Sequence, residues 1–540
     1  MLILSAGKIP SELEGIFGSI PSGLIPINGS PVVFRIIDKL VDEGFSKISI
    51  TVGYKKNNLI RILEQHYKNK IKLNFITADH TKAPGNSIVK SLSHIDNDGL
   101  LIILGDTLVE DSLTDIIYNN KDFVLTSKNF INSENWCLVR QKNSTIDSIH
   151  DKKLGLQGAD LYALIGIYYF SNSKILTDLT KNLNSNERIE ISHLLELYNE
   201  HFPISAIESK QWFDVGHKNT YYVSKKKLLQ GRFFNYLEYD ETKSIVTKTS
   251  DNKTKLINEI RWYQNIPDDI KPLIPNVLEY GYSDNPYIKL QHIPAPTLAE
   301  LWLYGDLQYT VWESILKQLF EMINLFKKHT SVVSQKDYEQ IYIKKTEQRL
   351  SNLLSKNKKF EAILQSNTIR INDQSYMNWN NLKEKIYLNT EKLFNNTDNC
   401  FIHGDFCFSN ILYNLNHSTC KVIDPRGTWG DSEYGDIKYD VAKLRHSIVG
   451  GYDAIINGLF SIEHKNGLEI NVDVFKPENY EKVSNDFDNY VRSKWNLNQI
   501  KMIEGLLFVS MLPLHQDSFD KQLALYSVGI QRLNEITDAV

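Results

Sequence analysis

Cysteine, proline and glycine are sparse in this 540-residue chain, at 4, 15 and 27 residues. The four cysteines, Cys137, Cys400, Cys407 and Cys420, form no CxxC pair, and the last three lie too close together for a disulfide framework, so they read as reduced thiols. A surplus of either charge is also missing. Lys+Arg total 61 and Asp+Glu 65, a net charge of −4, without the basic excess of a general nucleic-acid binder. Met1–Gly7 has no basic leader region, and no run is read as approaching the ~18 apolar residues of a membrane span. The expectation is a cytoplasmic protein with small-molecule substrates, no nucleic-acid partner and no membrane insertion, with self-association left open. The chain is 42% hydrophobic and 11% aromatic, which argues for order, and at ~100–200 residues per domain its length predicts two to four domains.

Two grammars divide it. Up to about residue 230, short apolar strands at Leu2–Ala6, Lys47–Gly53, Lys72–Thr77, Leu100–Leu104 and Phe123–Ser127 alternate with helical patterns such as that of Val32, Val33, Ile36, Ile37 and Leu40. This predicts a Rossmann-like α/β domain over 1–230 with a mostly parallel sheet, whose ligands gather beyond the carboxyl ends of the strands. Residues 231–540 read as α+β. A strand at Ser244–Lys248 and a helix at Lys255–Gln264 precede long helical patterns at Val311–His329, Ile341–Leu354 and Leu382–Leu393.

In the second half, His403-Gly404-Asp405 is followed by Asn410, and Val422-Ile423-Asp424 comes shortly after. Phosphoryl transfer needs a carboxylate to orient the attacking hydroxyl and oxygen ligands to hold Mg²⁺ on the nucleotide phosphates. Asp405 suits the first task, and Asn410 and Asp424 the second, with Ile411-Leu412 and Val422-Ile423 as a short hairpin between them. The segment resembles the signature of the aminoglycoside phosphotransferase and choline kinase family. That resemblance implies a protein-kinase-like fold, Lys248 as the lysine gripping the ATP phosphates, Glu259 as its ion-pair partner, and Tyr287–Pro294 as the hinge. Taken alone, Lys248 reads equally well as an exposed strand lysine. No G-x-G-x-x-G precedes it, because Asn235–Lys243 contains no glycine. Gly435–Leu444 resembles the family's G-D-x-x-x-D segment, in which Asp436 and Asp440 read at least as well as helix caps. His446, Tyr452, Asp453, His515 and Gln516 are candidates for the acceptor pocket.

The first half opens with Leu2–Gly7, followed by Pro21–Pro31, and resembles the sugar-phosphate nucleotidyltransferases. The resemblance implies that Ala6, Gly7 and Lys8 approach a triphosphate, that Gly85, Asn86, Gly166 and Glu190 line a base or sugar pocket, and that Asp106 and Asp214 share Mg²⁺. Asp106 alone reads equally as a turn residue after a buried strand. Two charged letters of the pattern differ. Lys8-Ile9-Pro10 stands where the family has arginine after its second glycine, and Ser22 where it has lysine.

Together the halves predict a bifunctional transferase. ATP-dependent phosphorylation of a sugar or amino alcohol would be followed by nucleotidyl transfer from CTP or UTP, giving an activated building block for a surface polysaccharide. The alternative is a kinase whose degenerate nucleotidyltransferase-like domain binds or regulates.

Overall fold

The computed structural model describes residues 1–95, 99–130, 132–156, 158–184, 186–228, 235–240, 242–430 and 432–537. The chain forms two compact units, Met1–Leu228 and Leu229–Val540. The expected boundary between 230 and 231 lies outside the described residues.

The first unit is built on a nine-stranded sheet in the order Leu73–Thr77, Ile48–Val52, Leu2–Ser5, Leu100–Leu104, Leu161–Phe170, Phe123–Ser127, Ser205–Glu208, Thr145–Asp151 and Cys137–Lys142. The first four strands are parallel, as their apolar runs and intervening helices predict. The sheet as a whole is mixed, which corrects the expectation of a mostly parallel one. Leu161–Phe170 runs antiparallel to Leu100–Leu104, Phe123–Ser127 and Cys137–Lys142. Cys137–Lys142 and Thr145–Asp151 are joined by the two-residue turn Asn143-Ser144, both at positive φ, and so short a connection permits only an antiparallel pair.

The second unit begins with a four-stranded antiparallel sheet in the order Asn235–Asp240, Ile245–Ser250, Tyr287–Gln291 and Val277–Gly281. The glycine-free stretch is thus one strand of a hairpin. The helix Lys253–Asn265 follows, capped by the Asn252 side chain on the Lys255 N–H. The rest is mainly helical, with the expected hairpin of Ile411–Asn414 and Thr419–Val422 and a second four-stranded sheet, Gln374–Met377, Thr368–Ile371, Glu469–Val474 and Phe460–Lys465, that the sequence reading did not foresee.

Leu497–Leu514 corrects a second expectation. Its 18 residues have a mean hydropathy of 1.2, long and apolar enough by that measure to cross a membrane, and 67% of them are buried within the protein. The helix Leu497–Met511 is apolar on nearly all sides because it packs between the helices Ile437–Ile448 and Phe519–Thr537. Its one buried carboxylate, Glu504, pairs with Arg445 Nη1, while the same guanidinium takes Asp488 through two bonds of 2.9 Å.

Candidate active sites

In the first unit, three parallel strands end on one edge. The strand Leu2–Ser5 leads into Ala6-Gly7-Lys8. The Tyr54 N–H donates to the Ala6 carbonyl at 2.9 Å and the Gly105 N–H to the Leu4 carbonyl at 2.8 Å, so Gly7, Gly53 and Asp106 emerge together. Thr107–Val109 pairs with Trp212–Asp214, setting Asp214 opposite Thr107, and the Val215 N–H donates to the Asp106 carbonyl at 3.1 Å. Two aspartates 108 positions apart in the chain thereby face one space. Gly216 keeps it open: a Cβ there would lie 2.7 Å from Asp106 Oδ2 and 3.4 Å from Asp214 Oδ1.

Burial, and then the charge of Asp214, push the Asp106 carboxyl up to about 6. Asp214 is braced by His217 Nδ1 at 2.9 Å, by the Thr220 hydroxyl, and by the Gly216 N–H at 3.2 Å. The hydrogen bond to Asp214 raises the His217 pKa, despite burial. Among the described residues no group of three or more His, Cys, Asp or Glu gathers to hold a metal. A carboxylate pair nevertheless suits Mg²⁺, which takes its remaining ligands from phosphate oxygens and water.

The other expected residues of this unit are held by local contacts. Lys8 Nζ pairs with Glu14 at 2.8 Å, and Ser22, whose N–H donates to the Gly7 carbonyl, is buried. Gly85, Asn86 and Glu190 meet in one place. Asn86 donates to the Glu187 carbonyl at 2.8 Å and accepts from the Ile189 N–H at 2.9 Å, while Glu190 caps the helix Ile191–Asn199 and pairs with Arg188 at 2.8 Å. Gly85 has to be glycine for this approach, because a Cβ would fall 2.4 Å from the Ile189 carbonyl oxygen and 2.8 Å from that of Glu190. Gly166 rests on the Leu104 side chain beside the Asp106 turn.

In the second unit, a cleft of about 840 Å³ is lined by Lys248, Glu259, Asp405 and Asp424 among others. Lys248 Nζ donates to both Glu259 carboxylate oxygens at 2.8 Å and to Asp424 Oδ1 at 2.9 Å. Burial works against the ammonium here, yet Asp424 and Glu259 hold its pKa above the ordinary lysine value. Lys248 is thus a buried, doubly paired lysine, not an exposed strand lysine. Two backbone features bring Asp424 to it. Asp424 itself has φ +55°, and Gly427, at φ +89°, lets the loop touch the helix of Glu259, where a Cβ would sit 2.6 Å from the Glu259 nitrogen.

Asp405 is held by Asn410, whose Nδ2 donates to its Oδ2 and its carbonyl at 3.0 Å each, and by Lys443 Nζ at 2.8 Å from Oδ1. Asn410, expected as a metal ligand, is buried, and its amide nitrogen positions Asp405. His403 accepts the Asp405 N–H on Nδ1 at 3.3 Å and faces the Ile423 carbonyl with Nε2 at 3.1 Å, which fixes the Nε2-protonated tautomer. Burial brings its pKa down to about 4, so it stays neutral. Asp440 accepts the His403 and Gly404 N–H groups at 2.7 and 2.8 Å, and Asp436 caps its helix on the Lys438 N–H at 3.0 Å. Of the acceptor-pocket candidates, Tyr452, Asp453 and His515 line the cleft. His446 instead stacks between Tyr452 and Phe508, with ring centroids at 4.0 and 4.2 Å, and Gln516 donates to the Pro513 carbonyl. Lys443, Arg349, Arg426 and Tyr439 also line the cleft and went unread. Lys443 carried a signal, since it stands three residues after Asp440 on the same helix.

Comparison with known proteins bears on the first unit. A model of the nucleotidyl transferase family matches residues 2–231, so this part of the chain is a nucleotidyl transferase domain. The bifunctional protein GlmU of Methanococcus maripaludis is 29% identical over 221 residues, covering 40% of this chain and 51% of that protein. A 2-aminoethylphosphonate cytidylyltransferase of Lancefieldella rimae is 24% identical over 169 residues, 31% of this chain and 66% of its own. The crystal structure of HddC from Yersinia pseudotuberculosis is 22% identical, covering 42% of this chain and 98% of that one, with a TM-score of 0.36. The chain spans about half the length of the GlmU proteins it matches.

Proposed function

We propose that the protein is a two-step transferase. The second unit phosphorylates a small hydroxyl compound from ATP, and the first couples the resulting phosphate, that of a sugar or a comparable small molecule, to CTP or UTP with loss of pyrophosphate. The observation that carries the kinase step is the Lys248 ammonium clasped between Glu259 and Asp424 in one cleft with Asp405. In this reading Lys248 holds nucleotide phosphates, Asp405 orients the acceptor hydroxyl and takes its proton as the oxygen bonds to the γ-phosphorus and ADP leaves, and Lys443 and Asn410 fix Asp405. Asp424 is the residue to hold Mg²⁺ there, and Asp106 with Asp214 in the first unit. Mg²⁺ at either place neutralises phosphate charge as it shifts to the leaving group. For nucleotidyl transfer, the nucleophilic phosphate oxygen bonds to the α-phosphorus as its bond to the β-phosphate oxygen breaks.

A second reading keeps only the kinase, with the first unit as a binding module. The Lys8–Glu14 pair and Ser22 in place of a cation favour it, because losing a cation at the leaving phosphate costs on the order of 10²–10³ in rate, as losing an oxyanion donor does. One experiment tests both. The purified chain is given ATP, Mg²⁺ and a panel of sugars, glycerol, amino alcohols, glycerate and glycerol 3-phosphate, with and without CTP or UTP, and followed by ³¹P NMR. A phosphomonoester that becomes a diphosphate ester only with CTP or UTP is the expected result. One that persists supports the second reading, and no monoester at all overturns the kinase step.

A further inference from the structure

The cleft of the second unit is cationic beside Asp405. Arg426 Nη1 and Lys345 Nζ both donate to the Tyr439 phenol oxygen, at 3.1 and 2.9 Å. Arg349 Nη1 donates to the Ser510 carbonyl at 3.2 Å. Among the described residues none of these three cations is within ion-pair distance of a carboxylate, whereas the neighbouring Lys443 is paired with Asp405. All three are half-buried, and Arg349 and Arg426 line the cleft. Cationic groups held together with no carboxylate in ion-pair contact cost stability, and such an arrangement persists where an anion is to be bound. Burial first, and then the charges of Arg426, Arg349 and Lys443, depress the Lys345 pKa well below its ordinary value, with Asp405 opposing them. Asp453 adds one acceptor: it lines the same cleft, is 2% exposed, and its Oδ2 has no hydrogen-bond partner.

The geometry points to an acceptor that is itself an anion, a small hydroxyl compound bearing a carboxylate or a phosphate, with its oxyanion on Arg349 and Arg426 and a hydroxyl of its own against Asp453. This rests on the kinase reading of the cleft and narrows its substrate class. A guanidinium fork matches either oxyanion through paired N–H bonds. A cationic acceptor such as an amino alcohol or a polyamine would instead meet the two guanidiniums that line the cleft, neither of them paired with a carboxylate among the described residues.

Two measurements on the full chain test this. In the first, ADP release with Mg²⁺ and ATP is compared for glycerate, glycerol 3-phosphate, glycerol, ethanolamine and choline. The expected result is a KM for glycerate or glycerol 3-phosphate at least tenfold below that for glycerol, with the better of the two naming the oxyanion. Arg349→Met should raise that acceptor KM at least tenfold with the KM for ATP within twofold, and Arg349→Lys, which keeps the charge without the fork, should fall between. A lower KM for glycerol, ethanolamine or choline overturns the inference, as does an acceptor KM unmoved by Arg349→Met in a chain whose thermal melt shows it folded. The second is calorimetric titration with glycerate and with glycerol 3-phosphate in the absence of ATP. Binding that Arg349→Met and Arg426→Met each weaken, with no ADP formed from any acceptor, upholds the anion site and removes the kinase reading. No binding of either anion and no preference for them in turnover overturns the inference itself.

Discussion

Lys248→Met tests the buried clasp most directly. The lysine and Glu259 side chains are 6% and 3% exposed, and Asp424 is 35% exposed. Removing the ammonium leaves the Glu259 carboxylate buried with no counter-charge, a loss of about 3–5 kcal/mol, to which the partly solvated Asp424 adds little. At roughly 2 °C per kcal/mol for a unit of some 300 residues, the melting transition of the second unit should fall by about 6–10 °C. The sign with pH follows from the same charge. Without Lys248 the Glu259 pKa rises, its protonated form is favoured in the folded chain, and stability is lost as pH rises through that folded pKa, so the deficit should be smaller at pH 5 than at pH 8. Scanning calorimetry on the wild type, Lys248→Met, Glu259→Gln and the double variant measures the coupling. The double variant removes both charges and should recover at least half of the Lys248→Met loss while remaining inactive as a kinase. A Lys248→Met loss below about 1 kcal/mol, or additivity of the two substitutions within about 0.5 kcal/mol, would refute the reasoning.

Further outcomes follow from the same geometry. Asp405→Asn keeps the shape and, with its carbonyl oxygen toward Asn410, that contact, but it breaks the Lys443 ion pair and removes the proton acceptor, so phosphoryl transfer should drop by about 10²–10⁴ with ATP affinity retained, as initial rates and nucleotide titration would show. Asp106, raised to about 6, binds a proton in competition with Mg²⁺. Thermal stabilisation of the first unit by Mg²⁺ should therefore be weak at pH 5, grow through pH 6–7 and vanish in Asp106→Asn. Without Mg²⁺ the sign reverses, because a raised carboxyl pKa contributes stability at low pH that is lost as pH rises from about 4 to about 6. Gly85→Ala drives a Cβ into two backbone carbonyl oxygens and should cost about 1–3 kcal/mol in urea unfolding, with larger residues worse.

Local signals in the chain were enough to place the strands Leu100–Leu104 and Phe123–Ser127 to the residue, because an unbroken apolar run bounded by polar turns has one stable use in an α/β layer. The Ile411–Val422 hairpin and the order Lys248, Glu259, Asp405, Asn410, Asp424 were equally legible. Strand direction beyond residue 130 was not, since parallel or antiparallel pairing depends on which neighbour a strand finds, and Leu161–Phe170 takes three. The long apolar helix Leu497–Met511 was misjudged for a related reason: hydropathy reports how apolar a surface is and says nothing of whether protein covers it. Only the tertiary structure separated residues that bear charge into the clefts from those that hold them there. Asp440 spends its carboxylate on the His403-Gly404 backbone, and Asn410 its amide nitrogen on Asp405. Arg349 and Arg426, with no motif to mark Arg349, converge from segments 77 positions apart to line one cleft. Sequence alone determined which candidate residues the chain carries and in what order, because those rest on residue type and local spacing; the partners each group meets depend on long-range packing, and that only the folded chain decides.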